Sequence, residues 1–428
     1  MKINRIGLFL SVIILITASF FPAAYASGIP SEKPVPEEAS SGTTPVFGVK
    51  GDADCDGKVT AADARIALRI SVSLEKPAQE VIKQCDYDED KKVTAADARC
   101  ILRVSVGLDP FKTQAEIERE QREAEERQFR EYINGTVKSV KAENVSATLT
   151  YLTKQTPDRG LYRSNNDKAE KYLVSRLKEM GYADNSISVH VSSWNGARCA
   201  DVVARIPTSV QHPKIYLLSA HYDCCENVEG AVDNASGVAA VMEAARVFKA
   251  MNKDFGVELR FAFFDAEEKG YVGAYRYLSA NTDDEEARHV FMLNVDMAGY
   301  SELQPQKYLV VSTEPVCEPW PWRQAHSNFT SDSVDTAKKH LGNIGEEKYY
   351  SPVAAGMHDI VPFRKNGMAC ATLSWRQYAP GSSHGSDHGL ASPYTIHTSL
   401  DTLENLNVGS VTSTTKLIVC TVLYALSE

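Results

Sequence analysis

The chain's apolar positions fall into distinct regimes. From about residue 133 to the end, short apolar runs alternate with segments whose apolar positions recur at helical spacing. Asp167 to Met180 carries Ala169, Tyr172, Leu173 and Leu177 on one helical stripe and closes on Gly181, a favoured residue just past a helix end. Ile215–Ala220, Leu259–Phe264 and Val290–Val295 are short runs without a polar face, the pattern of strands buried on both sides. Between the first two, Gly237 to Ala250 predicts a helix with Val238, Val241, Met242, Ala245 and Val247 turned inward. Alternation of this kind predicts an α/β fold, a mostly parallel mixed sheet with helices on both faces. Ligands in that class bind beyond the carboxyl ends of the strands.

The front of the chain is patterned differently. Lys2 and Arg5 precede an unbroken apolar run from Ile6 to Phe21, and Ala24-Tyr25-Ala26 offers a small-x-small cleavage site. Residues 1–26 therefore read as a secretory signal peptide. The run is shorter than the ~20 residues a membrane span needs, so the expectation is an exported protein with no membrane association after cleavage. Residues 27–47, rich in Ser, Pro, Gly and Glu, read as a linker. Residues 111–132 are dense in charge, with Glu118/Arg122, Glu123/Arg127 and Glu126/Arg130 as i,i+4 pairs, and predict a solvated helix.

Composition adds little to this beyond exclusions. A net charge of −10 over 428 residues argues against a nucleic-acid partner, which would require a basic patch. Nine scattered cysteines show no zinc-binding spacing. Export permits disulfides among them, and the odd count leaves at least one thiol unpaired.

Residues 48–110 contain a duplication. KVTAADARIALRISVSLE begins at Lys58 and KVTAADARCILRVSVGLD at Lys92, each behind an acidic loop. Asp52, Asp54, Asp56 and Asp63 occupy positions 1, 3, 5 and 12 of the first loop; Asp86, Asp88, Asp90 and Asp97 occupy them in the second. Lys58 and Lys92 stand where a backbone carbonyl would ligate, and Thr60 and Thr94 where a hydroxyl or a water-mediated contact would. This is how oxygen ligands wrap Ca²⁺. Gly57 supplies the sharp turn in the first copy, whereas Lys91 stands there in the second and predicts strain. With no helix entering the first loop, the duplicated loop-then-helix resembles a type I dockerin. That resemblance implies a small all-α module with two Ca²⁺ and a cohesin domain of a scaffold, as in a cellulosome, for partner. Loop positions 10 and 11, which largely set partner choice in that family, are Ala61/Ala62 and Ala95/Ala96 here, without the polar pair of many members.

In the alternating region, His221, Asp233, Glu267, Glu268, Asp296 and His397 form a ladder of metal-ligand types, most of them where a predicted strand runs into a loop. Two imidazoles with several carboxylates suit zinc, and their number exceeds what one tetrahedral ion needs. Asp223 and Asp401 sit close enough in sequence to His221 and His397 to orient their rings. Singly, each residue has a bland reading, such as a helix cap for Asp233.

The order His-x-Asp, Gly-x-x-Asp-Asn-x-Ser-Gly, Glu-Glu-x-Gly, Asp and a late His-Thr resembles the M28 family of zinc aminopeptidases, over about Ala147 to Leu426. The resemblance assigns 133–428 to a peptidase domain with the zinc-aminopeptidase fold, also called phosphorylase/hydrolase-like. It implies one zinc on His221 and Asp296, a second on Glu268 and His397, Asp233 bridging, and Glu267 as general base. It further implies hydrolysis of the N-terminal bond of peptides, Glu267 moving a water proton to the leaving amine. The same fold also serves glutaminyl cyclases and carboxypeptidases, and Arg364 and Arg376 are candidates for holding a substrate carboxylate. The remaining alternative is a non-catalytic, cohesin-bound cargo protein. The family's Ser-Asp-His segment stands here as His358-Asp359-Ile360, with the Asp kept; another Ser-Asp-His lies at 386–388 in a loop, 381–389, without an assigned role. Tyr394 is near the late His in sequence, and no side chain is assigned to hold an oxyanion.

Overall fold

The computed structural model describes residues 49–108, 114–281, 288–314, 324–342, 348–354, 358–366, 368–378 and 390–428. The signal peptide, the 27–47 linker, Cys317 and the 381–389 loop with its Ser-Asp-His lie outside them. The chain divides into two compact units at Tyr132/Ile133.

The smaller unit holds α1 (Ala61–Ser71), α2 (Gln79–Cys85) and α3 (Ala95–Ser105). α1 and α3 begin alike. Thr60 and Thr94 are N-caps, and Asp63 and Asp97 close capping boxes with them. Asp63 Oδ1 also accepts the amides of Ala53 and Asp54, and Asp97 Oδ1 those of Tyr87 and Asp88, so each loop is folded back on its own helix. Ala64, Ala67, Ala98, Ile101, Cys85 and Tyr87 form the core. Lys91 has φ +71°, beside +89° for Gly57, so the second loop holds a lysine in the left-handed region. That costs about 1–2 kcal/mol.

α4 (Gln114–Lys138) is longer than the predicted charged stretch. Its last turns continue because Ile133 and Val137, one turn apart, are buried in the second unit.

The second unit continues with α5 (Ala142–Thr150), α6 (Ser164–Glu179), β1 (Ile187–Trp194), β2 (Ala197–Ile206), β3 (Ile215–His221) and α7 (Ser236–Ala250). Then come β4 (Glu258–Phe264), α8 (Val272–Ala280), β5 (His289–Val295), β6 (Tyr308–Glu314), α9 (Gln324–Leu341) and β7 (Lys348–Ala354). α10 (Ile360–Lys365), β8 (Cys370–Tyr378), β9 (Leu390–Ala391) and α11 (Val408–Ala425) complete it. The sheet order is β1-β2-β4-β3-β5-β8-β6-β7, with β9 on β8. The central strands β4, β3, β5 and β8 are parallel, and β1, β2 and β6 add antiparallel pairs outside them.

Every residue of β3 is buried. Leu217 and Met292 pack with Tyr277, Ile360 and Phe363 of α8 and α10. The next positions out of phase, Tyr216 and Phe291, stack on each other and meet Phe329 of α9 edge-on. Period-two alternation thus feeds both faces, which is why these strands read as continuous apolar runs. α11 is long and apolar enough to span a membrane, but most of it is buried against α7 and α9 as a core helix.

Candidate metal centre

The parallel strands end together, and the ladder residues gather at that edge. His221 is the last residue of β3 and pairs with Phe264 at the end of β4. Glu267 and Glu268 follow β4 by one tight turn, and Asp296 follows β5 directly. Asp233 sits on the irregular segment before α7, and His397 comes from the loop before α11.

Asp233 stands between two donor sets. Its Oδ1 is 3.1 Å from His221 Nε2, and its Oδ2 is 3.1 Å from His397 Nε2. Beside the first lies Asp296 Oδ1, 3.5 Å from His221 Nε2; beside the second lies Glu268 Oε2, 3.3 Å from His397 Nε2. Donors bound to one tetrahedral zinc at about 2.0–2.1 Å stand about 3.3 Å apart, so both sets have the spacing a cation requires. His221 Nε2, Asp233 Oδ1, Glu268 Oε1 and Asp296 Oδ1 are buried without a hydrogen-bond partner. Buried polar atoms are normally paired, and the three that converge, His221 Nε2, Asp233 Oδ1 and Asp296 Oδ1, fit a metal. His221 is buried to 1% exposure and His397 is half-exposed, so the first set is the floor of the site and the second its mouth.

Charge makes the same point. Burial works to lower His221, but Glu267, Asp223, Asp233 and Asp296 around it raise its pKa well above the usual value. Burial would likewise raise Asp296, yet His358 and His221 hold it well below the carboxylate range. Glu267 is pushed well up, by burial first and by Asp359, Asp296 and Glu268 next, with His221 opposing. A buried cluster of carboxylates of this kind is compensated by cations.

Asp223 lies behind His221 and beneath the glutamate pair. Its Oδ1 is 3.3 Å from His221 Nδ1, and its carboxylate accepts the amides of Glu267 and Glu268. The expected role of Asp401 is corrected. Instead of the His397 ring, its oxygens accept the amides of Val232 (2.6 Å) and Asp233 (3.2 Å). The loop leaving His397 turns back under the Asp233 segment, and two buried N–H groups there need an acceptor. Asn234 ties the same segment to the end of β5, donating to Val295 O and accepting from Gly237 N and Met297 N. Ala266, Met297 and His397, each at or next to a ladder residue, have φ of +56°, +67° and +57°. Non-glycine residues held there cost about 1–3 kcal/mol each and cluster at functional sites.

Several residues support the site in roles that the sequence did not assign them. Arg159, fully buried, donates to the carbonyls of Tyr222, Glu229 and Gly230 and so pins both loops flanking His221 and Asp233. His358 Nδ1 is 2.5 Å from Asp296 Oδ2, and Arg376 abuts its Nε2. Arg376 is 4% exposed and also reaches Ser392 Oγ; it supports His358 and is committed there, unlike a free carboxylate-binding arginine. Arg364 is buried on α10. The Tyr394 hydroxyl donates to Leu303 O. None of the eight described cysteines forms a disulfide, and Cys225 joins the mouth of the site.

In the smaller unit, the carboxylates of Asp52, Asp54 and Asp56, and of Asp86, Asp88 and Asp97, form two further groups close enough to hold a cation. Asp56 and Asp90 accept the amides of Lys58 and Lys92. Of the two contacts expected of Thr60 and Thr94, a hydroxyl or a water-mediated one, the hydroxyl is used to cap α1 and α3, whose first amides would otherwise be unpaired.

Residues 201–422, just over half of the chain, match peptidase family M28, and the chain belongs to that family. Among curated proteins it is similar to aminopeptidase YwaD of Bacillus subtilis, 26% identical over 242 residues, 56% of this chain and 50% of that protein. The chain spans about half the length of the curated relatives it matches first. Its fold is that of the Legionella pneumophila LapA aminopeptidase (TM-score 0.55, 22% identity, 70% of this chain and 74% of that one). It is also that of BSAP, a zinc aminopeptidase from Bacillus subtilis (TM-score 0.54, 16% identity, 66% and 94%).

Proposed function

We propose that this chain is a secreted dinuclear zinc aminopeptidase that cleaves the N-terminal bond of peptides. The observation that carries it is Asp233, whose two oxygens face two separate donor sets. In this reading His221 and Asp296 would hold one ion and Glu268 and His397 the other, with Asp233 facing both. Two zinc ions held there would supply a water of lowered pKa and polarise the scissile carbonyl. Glu267, its carboxyl pushed well above the usual range by burial and by its acidic neighbours, would accept that water's proton and deliver it to the leaving amine. Asp223 fixes Glu267 and Glu268 through their amides while it faces His221. His358, backed by Arg376, holds Asp296 in position. Donors on both sides of Asp233 favour two-ion hydrolysis over the cyclase alternative.

The smaller unit is read as a dockerin that binds a cohesin when two Ca²⁺ order its loops. Both copies expose matching apolar residues, Leu68 and Leu102 on their helices and Val72 and Val106 just past the helix ends, which supports a docking role.

A panel of aminoacyl chromogenic substrates, run with and without a zinc chelator, tests the enzyme. Unblocked substrates are cleaved, chelation abolishes the activity, and N-acetylated peptides resist; equal cleavage of blocked peptides refutes the aminopeptidase reading. Full-length protein binds immobilised cohesin in calcium and releases it in a calcium chelator; unchanged binding removes the dockerin claim.

A further inference from the structure

Cys225 has no part in the reaction above, yet its sulfur lies at the mouth of the site. Sγ is 3.1 Å from Glu268 Oε2, and Sγ, a Glu268 oxygen and a His397 ring nitrogen all lie within 4.8 Å of one another. A zinc with bonds of about 2.3 Å to sulfur and about 2.0 Å to oxygen separates the two donors by about 3.5 Å. The observed spacing therefore closes onto a cation with a small outward shift of the thiol.

Its position is built by the fold. The five residues from His221 to Cys225 run along the edge of the site, with His221 on the floor and Cys225 half-buried at the mouth. Arg159 anchors this run through Tyr222 O at 2.6 Å, and Asp223 anchors it through the amides of Glu267 and Glu268. The neighbouring Cys224 is buried, with its sulfur toward Val228 O, and is not a disulfide partner. Glu268, on which the thiol leans, is only 7% exposed and leaves Oε1 unpaired. The cluster thus sets a soft donor against a buried carboxylate whose other oxygen is unpaired.

We propose that Cys225 is a metal ligand, completing with Asp233, Glu268 and His397 a four-donor set that contains one thiolate. The inference rests on the two-ion reading of the site. As the metal–sulfur bond forms, the thiol proton leaves to solvent. Cys225 would give the mouth ion one protein donor more than the floor ion, which His221, Asp296 and Asp233 would hold with a position open for water. The thiolate also selects the mouth position for soft metals such as zinc or cadmium over magnesium or manganese.

The test is the absorption spectrum of the full-length, metal-stripped protein refilled with Co²⁺. Ligand-field bands in the visible report cobalt bound, and a near-ultraviolet thiolate-to-cobalt band reports sulfur ligation. Wild type shows both. Cys225→Ser keeps the visible bands, loses the near-ultraviolet band, and binds one of its two ions weaker by at least the roughly 10–100-fold that loss of an outer-lying partner costs. If the serine variant does not fold, alkylating Cys225 in folded wild type, verified by peptide mass spectrometry, produces the same loss. A wild type with visible bands but no thiolate band overturns the ligand role and leaves the two-ion reading standing. So does a thiolate band that survives in Cys225→Ser. A wild type that binds no cobalt overturns both.

Discussion

Asp401→Ala tests how the site is held together over a separation of 168 residues. Asp401 is 1% exposed, and its oxygens accept the amides of Val232 at 2.6 Å and Asp233 at 3.2 Å. Hydrogen bonds to a charged acceptor contribute about 1.5–3 kcal/mol each, so two give about 3–6 kcal/mol. The lower end applies here. Burial first, and then the neighbouring Asp233, push the Asp401 carboxyl up to about 7, so part of the charge-assisted gain is offset at neutral pH. About 3 kcal/mol is still a large share of the roughly 5–15 kcal/mol that holds a domain folded. The freed segment carries Asp233 at one end of the contact and His397 near the other. Zinc affinity, measured by competition with a chromophoric chelator, falls about 10–100-fold, and the melting temperature of the metal-free protein drops. Asp401→Asn keeps one acceptor oxygen and falls between the two. A folded Asp401→Ala protein with wild-type zinc affinity refutes the idea that this carboxylate positions Asp233.

Three further outcomes are expected. Glu267→Gln lowers kcat by about 10²–10⁴ while metal analysis still finds wild-type zinc content; loss of zinc with the activity would instead make Glu267 a ligand. Gly237→Ala introduces a Cβ only 2.3 Å from both Asn234 Oδ1 and Val295 O. Overpacking at that helix start costs about 1–3 kcal/mol or more, read as a lower melting temperature together with weaker zinc binding. Chelator-treated protein melts at progressively lower temperature as pH rises from 5 to 8. Burial chiefly raises Asp265 and Asp401 to about 7, and Glu267, Asp201 and Asp359 well above the usual range. A raised carboxyl stabilises the fold below its unfolded value of about 4, and that contribution is lost as pH rises through the folded value. Saturating zinc flattens the slope, and a melting temperature that climbs over this window in the chelated protein contradicts the assignment.

Local pattern determined much of this protein by itself. The buried strands Ile215–Ala220, Leu259–Phe264 and Val290–Val295 and the helix from Gly237 are visible because a strand covered on both faces is mostly apolar, and because Val238, Val241, Met242, Ala245 and Val247 recur at helical spacing. Four of the six ladder residues, His221, Glu267, Glu268 and Asp296, are legible for a related reason: they stand at the ends of those strands, and parallel strands end at one edge. The duplicated loops are legible because a calcium loop is a local object, its ligands fixed by spacing within one turn of chain. What only tertiary structure decided is which distant groups support the ladder. The roles of Arg159, His358 and Arg376 carry no local signal, since a buried arginine and an exposed one look the same in sequence. Asp401 is near His397 in sequence but serves Asp233, because the loop folds under the other segment. Cys225 reads as one scattered thiol among nine until the exit of β3 brings its sulfur onto Glu268. Contact across a fold depends on how loops return over the sheet edge, and that path is set by the packing of the whole unit, which no window of sequence contains.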